Sequence, residues 1–261
     1  MPGILLRIPY IQNKVSEVAT TQLSGHLGVP VKIGNVDIEW FNRLVLEGLY
    51  LEDQDGKVMF EANHVAAGFE IMPLLEGKFV FTTVRLFGFS FNLRKHTPES
   101  PLNLQFVIDA FASKDSIKKE KNIDLRFNSI MIRRGNFSYN VDSEKETPGK
   151  FNAKHIDIKN LSAKISLKAF NKDSVNAHIK KMSFDEASGF SLNKLSLNVV
   201  GNRDSAFVQD FEVRLPQTNL KIGRARIDLS EIDSLPALLN NAPIDLNITC
   251  LLYTSDAADE L

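Results

Sequence analysis

From residue 31 to residue 93 apolar side chains recur at every second position, in VKIGNVDIEW, RLVLEGLYLED, KVMFEANHVAAGFEI and KFVFTTVRLFGFSFNL, with Gly and Asp between the runs. Period two is the pleat of a β-strand, whereas an amphipathic helix repeats every 3.6 residues. Short breaks between such runs predict antiparallel strands joined by tight turns. Gly34, Gly48, Asp55-Gly56, Gly77 and Gly88 fall at segment ends or inside strands, where a turn, bulge or close approach needs them.

Within this stretch the alternation runs Val31, Ile33, then Val36, Ile38, Trp40, so Gly34 shifts it by one and is a candidate bulge. Residues 44–51 are apolar on both faces, as for a strand covered on both sides. Residues 72–75 read as a short linking turn or helical turn. In the last strand Phe87, Phe89 and Phe91 are expected to point one way, with Leu86, Gly88 and Ser90 opposite.

Two segments break the pattern. Residues 9–26 place Ile11, Val15, Val18, Ala19 and Leu23 at helical spacing, and Gly28 with Pro30 ends the run. The apolar face of this helix is expected to pack on the sheet. Near 101–113 a second helix is expected, with Ser100 as N-cap, Pro101 at its first position and an apolar face through Leu104, Phe106, Val107, Ala110 and Phe111. It would close the end of the first sheet or dock across it. The charged run at 115–121 reads as a solvated loop and a weak domain boundary.

Beyond it strands resume, in IDLRFNSIMIRRGNFSYNV, KHIDIKNLSAKISLKAF, NAHIKKMSFDE, FSLNKLSLNVVG, DFEVRLP and NLKIGRARIDL, with a brief helix at 235–240 and a last strand at 243–249. The expected architecture is mostly β with short helices: an N-terminal helix, then an elongated antiparallel sheet of successive hairpins. A compact sandwich is the competing arrangement. The expected divisions are residues 1–30, 31–121, 122–249 and a tail at 250–261.

Composition removes several functions. The 31 basic and 32 acidic residues leave a net charge of −1, without the basic excess that neutralises nucleic-acid phosphates. Eighteen Phe against one Trp and four Tyr favour an apolar surface without polar handles. Residues 250–260, CLLYTSDAADE, resemble the translated end of a transposase sequencing adapter and are left out of fold reasoning, so a longer natural protein is expected. The one cysteine, Cys250, lies there. At the start, residues 3–6 are too short for a signal-peptide core and are consistent with the last turn of a membrane anchor.

The five histidines, His26, His64, His96, His155 and His178, show no zinc-ligand spacing and read as turn or surface residues. G-x-G-x-x-G, G-x-x-x-x-G-K and G-x-S-x-G are absent, which removes the usual phosphate cradles and the nucleophile elbow. The carboxylates fall mainly in turns, and no glycosidase pair stands out. Nothing here argues for an enzyme, and no cofactor or metal is expected. Arg133-Arg134 reads as edge-strand charge.

The ordered combination of the first helix with IGNVDIEWFNRLVLEGLYLEDQDG, FEANHVAAGFEIMPLLEGK, VRLFGFSFNLRK, LNLQFVIDAFASKD, IMIRRGNFSYN, TPGKFN and SFDEASGFSLNKLSL resembles the AsmA-like and TamB superfamily of envelope proteins. The likeness is to its large translocation and assembly module form in Bacteroidota, and it spans residues 9 to about 249. It implies a periplasmic sheet, anchored to the inner membrane by a helix that this sequence lacks, curled into a taco-like groove with an apolar lining. The implied lining is Phe87, Phe89, Phe91, Phe127, Ile165, Leu167, Leu195, Leu197, Val213 and Ile227. The three phenylalanines face either a closed core or the groove opening. The implied function is transfer of phospholipid between inner and outer membranes. The alternative is assembly of outer-membrane β-barrel proteins, with an outer-membrane barrel as partner, and a structural envelope tether is a third reading.

Asp-Ser followed by a small or aliphatic residue occurs at 115–117, 173–175, 204–206 and 233–235. This resembles the O-glycosylation acceptor of exported Bacteroidota proteins, with ordinary turn chemistry as the alternative.

Overall fold

A computed structural model describes residues 9–39, 42–70, 81–111, 127–170, 174–202, 204–228 and 244–247. The segments expected at 72–75, 115–121 and 235–240, and the tail, lie outside them. The described chain is mostly β: helix α1 (Pro9–Leu27), strands β1 (Val31–Lys32), β2 (Asn35–Glu39), β3 (Arg43–Glu52), β4 (Val58–Phe69) and β5 (Phe81–Lys95), helix α2 (Gln105–Phe111), then β6 (Phe127–Val141), β7 (His155–Phe170), β8 (Ser174–Glu186), β9 (Ser191–Asn202), β10 (Ser205–Arg214), β11 (Asn219–Asp228) and β12 (Ile244–Asn247). The strands form one open sheet in the order β1-β3-β4-β5-β6-β7-β8-β9-β10-β11-β12, with β2 also beside β3.

The chain divides into two compact units, Met1–Glu120 with Met131–Ser162 and Asp185–Phe190, and Lys121–Ile130 with Ala163–Phe184 and Ser191–Leu261. In the first, α1 lays Ala19, Leu23 and Leu27 on a core of Val31, Ile33 and Val36, against which Leu44, Leu46, Leu49 and Leu51 also pack. Full burial of a leucine is worth about 1.5–3 kcal/mol, and each of these half-buried leucines contributes part of that. Val18, expected on the same face, is 58% exposed. The helix ends where Gly28, at φ 71°, donates its N–H to the Ser24 carbonyl, the left-handed cap that frees α1 to turn into β1. Ser24 Oγ accepts the Val31 N–H at 3.0 Å and Thr20 Oγ1 accepts that of Ile33 at 3.2 Å, so helix side chains satisfy backbone donors of the sheet margin.

Every strand pair with a defined register is antiparallel. The contacts of β5 with β6 instead advance together. Phe87 lies under Arg134, Phe91 meets Phe137, Asn92 accepts from Ser138, and the Lys95 and His96 carbonyls accept from the Asp142 and Ser143 N–H groups. These two strands point the same way. A hairpin cannot join them, and the connection through α2 is the crossover that a parallel pair requires. The helix near 101–113 is thus part of a crossover, and its described turns begin only at Gln105. Asn103 is held out of it, because its N–H donates to the Arg94 carbonyl and its side chain accepts the Arg94 N–H.

A line of special backbone crosses the first unit. Gly34 faces Gly48 across β2 and β3, Gly48 faces Asn63 of β4, and Asn63 faces Gly88 of β5 in the flanking registers. Gly48, Gly88, Arg134 in β6 and Asn160 in β7 all have φ between 51° and 62°. The alternation changes phase there: Leu44 and Leu46 before Gly48 share a face with Leu49 and Leu51 after it. Gly34 is therefore not a bulge that inserts a residue. Val31↔Leu51 and Val36↔Leu46 belong to one unbroken register, and the ladder merely pauses. The two-sided apolarity of residues 44–51 is largely this phase change, although Val45 is also buried, opposite Ala66.

Candidate functional site

The expected lining residues divide between the units. In the first, Leu51, Phe60 and Phe91 lie side by side, as do Leu49, Ala62 and Phe89, so Phe89 and Phe91 extend the face on which α1 packs. Phe60 stacks with Phe89 at 6.2 Å and meets Phe91 edge-on at 5.7 Å, and Phe91 meets Phe137 at 6.2 Å. Phe89 is 6% exposed and sits over the bare Cα of Gly135. That is a closed aromatic core.

Phe87 does not join it. Leu46, Val65 and Leu86 continue the α1 face, so the phase change at Gly88 turns Phe87 to the other side, beside Glu47 and His64 in register. There the Arg134 guanidinium covers its ring at 5.0 Å and that of Arg133 lies at 6.0 Å. Three phenylalanines on one face required an unbroken alternation, and the left-handed Gly88 removes it. The arginine doublet covers an aromatic ring on an inner strand of the sheet, not on an edge.

The second unit holds Phe127, Ile165, Leu167, Leu195, Leu197, Val213 and Ile227. Val213 pairs with Leu195 on one side and Leu220 on the other, Val208 with Val199 and Ala225, and Ala206 with Gly201 and Ile227. Asp210, at φ 52°, supplies the bulge that keeps Val208 and Val213 on one face. Leu195, Leu197, Val213 and Ile227 thus share an apolar face of β9, β10 and β11. All four are half-buried. Ile165 and Leu167 are half-buried on β7. Phe127 opens β6, and its side chain is outside the described set. On the reverse face Arg224 and Arg226 stand over Phe207 at 4.5 and 5.8 Å.

Polar constellations in the first unit escaped the sequence reading. Arg94, 12% exposed at its side chain, donates to Asp53 at 3.0 Å, Asp55 at 2.5 Å and Asp142 at 3.0 Å, and His96 lies 3.2 Å from Asp55 and 3.4 Å from Asp142. Burial pushes the Asp53 carboxyl up, but donation from Asn103, the Lys57 and Asp55 N–H groups and Arg94 outweighs it and holds the group below its ordinary range. A guanidinium occupies the middle of this acidic cluster. Among the described residues no group of His, Cys, Asp or Glu is arranged to hold a metal ion. His64, His155 and His178 lie on strands and His26 on α1, where it bonds the Ala110 carbonyl; of these four, His26 and His178 are exposed as expected of surface residues, and His64 and His155 are half-buried. Of the Asp-Ser motifs, Asp204-Ser205 forms a turn in which Asn202 Oδ1 accepts both N–H groups, which is ordinary Asx-turn chemistry.

No protein-family model matches this chain, and no curated protein matches it either.

Proposed function

We propose that this chain is a section of a periplasmic lipid-transfer protein, which holds phospholipid acyl chains against an apolar sheet face as they pass between inner and outer membranes. The observation that carries the reading is the aliphatic face shared by β9, β10 and β11, whose side chains stay half-buried instead of being sealed in a core. Keeping a CH2 group from water is worth about 0.8 kcal/mol, so a row of such side chains lowers the barrier to moving an acyl chain through an aqueous space. Such transfer is a partition between surfaces and requires no catalytic group. The likeness to the AsmA-like and TamB superfamily supplies the compartment, the inner-membrane anchor and the direction of transport.

The test is lipid extraction from the chain purified out of an envelope-containing host. Phospholipid carried at about one or more molecules per chain supports the proposal. Protein free of lipid after exposure to phospholipid vesicles counts against it. Cross-links from sheet edges to outer-membrane barrel precursors, without lipid capture, would favour the assembly role.

A further inference from the structure

On β5 and β6 the residues between the core phenylalanines face the other way. Asn92 follows Phe91, Ser138 follows Phe137, and Ser138 donates to Asn92 Oδ1 at 2.8 Å. This polar row continues through Asn140 and, on β7, His155 and Asp157. The loop between β6 and β7 folds over it and leaves a cavity of about 560 Å³, walled also by the β8–β9 turn at Glu186, Ala187 and Ser188. That volume lies within the range of small-molecule sites, about 300–1,000 Å³.

The walls are built rather than collapsed. Thr147 to Lys150 is a β-turn closed by the Lys150 N–H on the Thr147 carbonyl, with Pro148 second and Gly149 third at φ 73°. Asn152 donates to the Lys145 carbonyl, Lys154 pairs with Glu144 at 2.8 Å, and His155 is bonded through Nδ1 to Asn140 and through Nε2 to the Glu144 carbonyl. On the far wall Glu186 accepts from the Ser188 hydroxyl and N–H, and the Ala187 N–H donates to the Asp157 carbonyl. The loop is held by its own bonds, so a ligand finds the cavity formed.

The lining selects the ligand. Lys150 and Lys159 face Glu146, Asp157 and Glu186, so the wall has no positive excess with which to hold an anion. Asn92 is bonded to Ser138 and the Val58 carbonyl, Asn152 to the Lys145 carbonyl and the Lys154 N–H, and Asn140 Oδ1 to His155, yet each amide keeps a second N–H and a second lone pair. Thr147 adds a hydroxyl, and Ser138 and Ser188, whose protons go to Asn92 and Glu186, add acceptor lone pairs. Phe151, between two lining residues, is 66% exposed, and Phe190, two residues beyond Ser188, is 45% exposed. Vicinal hydroxyls that both donate and accept, on a ring whose C–H face can cover an aromatic ring, define a pyranose. We infer that this cavity binds a neutral glycan unit, free or at the end of a glycoconjugate, on the sheet face opposite the aromatic core. The inference does not depend on lipid transfer.

The test is titration of the 15N-labelled full chain with maltose, cellobiose and N,N′-diacetylchitobiose, and separately with inorganic phosphate. The expected result is saturable shifts of the Asn140, Asn152, His155 and Ala187 amides by at least one disaccharide, with a Kd of about 1 mM. Binding of its methyl glycoside as well assigns the site to a conjugate's terminal unit, and binding of the free sugar alone assigns it to soluble saccharide. Ala187→Trp, at an exposed wall position, should weaken binding about tenfold or more at unchanged melting temperature. No shift with any disaccharide, shifts remote from the cavity, or shifts with phosphate alone would overturn the inference. The wild-type titration decides even where a variant fails to fold.

Discussion

The ring of Phe89 rests on the bare Cα of Gly135, so closely that a Cβ at residue 135 would overlap the ring. The aromatic core therefore closes across the parallel pair of β5 and β6 only because one partner lacks a side chain. We expect Gly135→Ala to destabilise the fold by about 1–3 kcal/mol, since Phe89 must leave its rotamer or the strands must part. Gly25→Ala on α1, where nothing stands within 4 Å of the new Cβ, should instead stabilise by about 0.5–1 kcal/mol. Urea unfolding midpoints of the two variants check the contrast.

The Arg94 cluster ties the β3–β4 turn to the ends of β5 and β6. Asp53 is 2% exposed, and its carboxyl is held below the ordinary range by the donors that outweigh its burial. The unfolded chain then takes up the proton first, near the usual aspartate value of about 4, and the folded chain only at lower pH. The contribution is complete above the unfolded-state value and is lost as pH falls through the lower folded-state value. Asp53→Asn should flatten this acid limb in melting temperatures measured from pH 6 down to about pH 3. Arg94→Met leaves Asp53 buried without its cation and should cost about 3 kcal/mol at neutral pH.

Asn160 occupies the left-handed line at φ 57°. Asparagine visits that region more readily than other residues with a side chain, and here its Nδ2 also donates across the sheet to Asp185 of β8 at 3.0 Å. A β-branched residue does not. Asn160→Val should destabilise by about 1–2 kcal/mol, and Asn160→Gly by less than about 0.5 kcal/mol, despite valine's preference for strands. Thermal unfolding of both variants separates backbone strain from strand propensity.

These sites show which parts of the fold a period-two reading can reach. The strands of residues 31–93 and the first helix are legible because alternation and helical spacing repeat over many residues. The phase changes are harder. Gly34 betrays itself by its shift from Val31 and Ile33 to Val36 and Ile38, yet Arg134 carries no compositional mark of a left-handed backbone and Asn160 only the weak one of its residue type. Their signal is spacing alone: Ile130, Ile132, then Phe137, Tyr139, and Ile156, Ile158, then Leu161, Ala163. The same spacing around Gly88, Leu86 against Phe89, would have separated Phe87 from its neighbours. The parallel step at α2 was missed because a short apolar helix after a strand reads equally as a cap or a crossover. The polar cavity was missed because Asn92, Ser138 and Asn140 are ordinary outward-facing strand residues until the 144–152 loop covers them.

Lipid transfer as proposed depends most on the apolar face of β9, β10 and β11, and a photo-crosslinking residue at Leu197 or Val213 interrogates it directly. Gln209, which pairs with Asn198 and Arg224 on the reverse face, serves as the control position. In the full-length protein, with membranes present, phospholipid adducts should form on illumination at positions 197 and 213 and not at 209. An absence of lipid adducts at both apolar positions, or equal adducts at all three, would contradict the proposed transfer along this face.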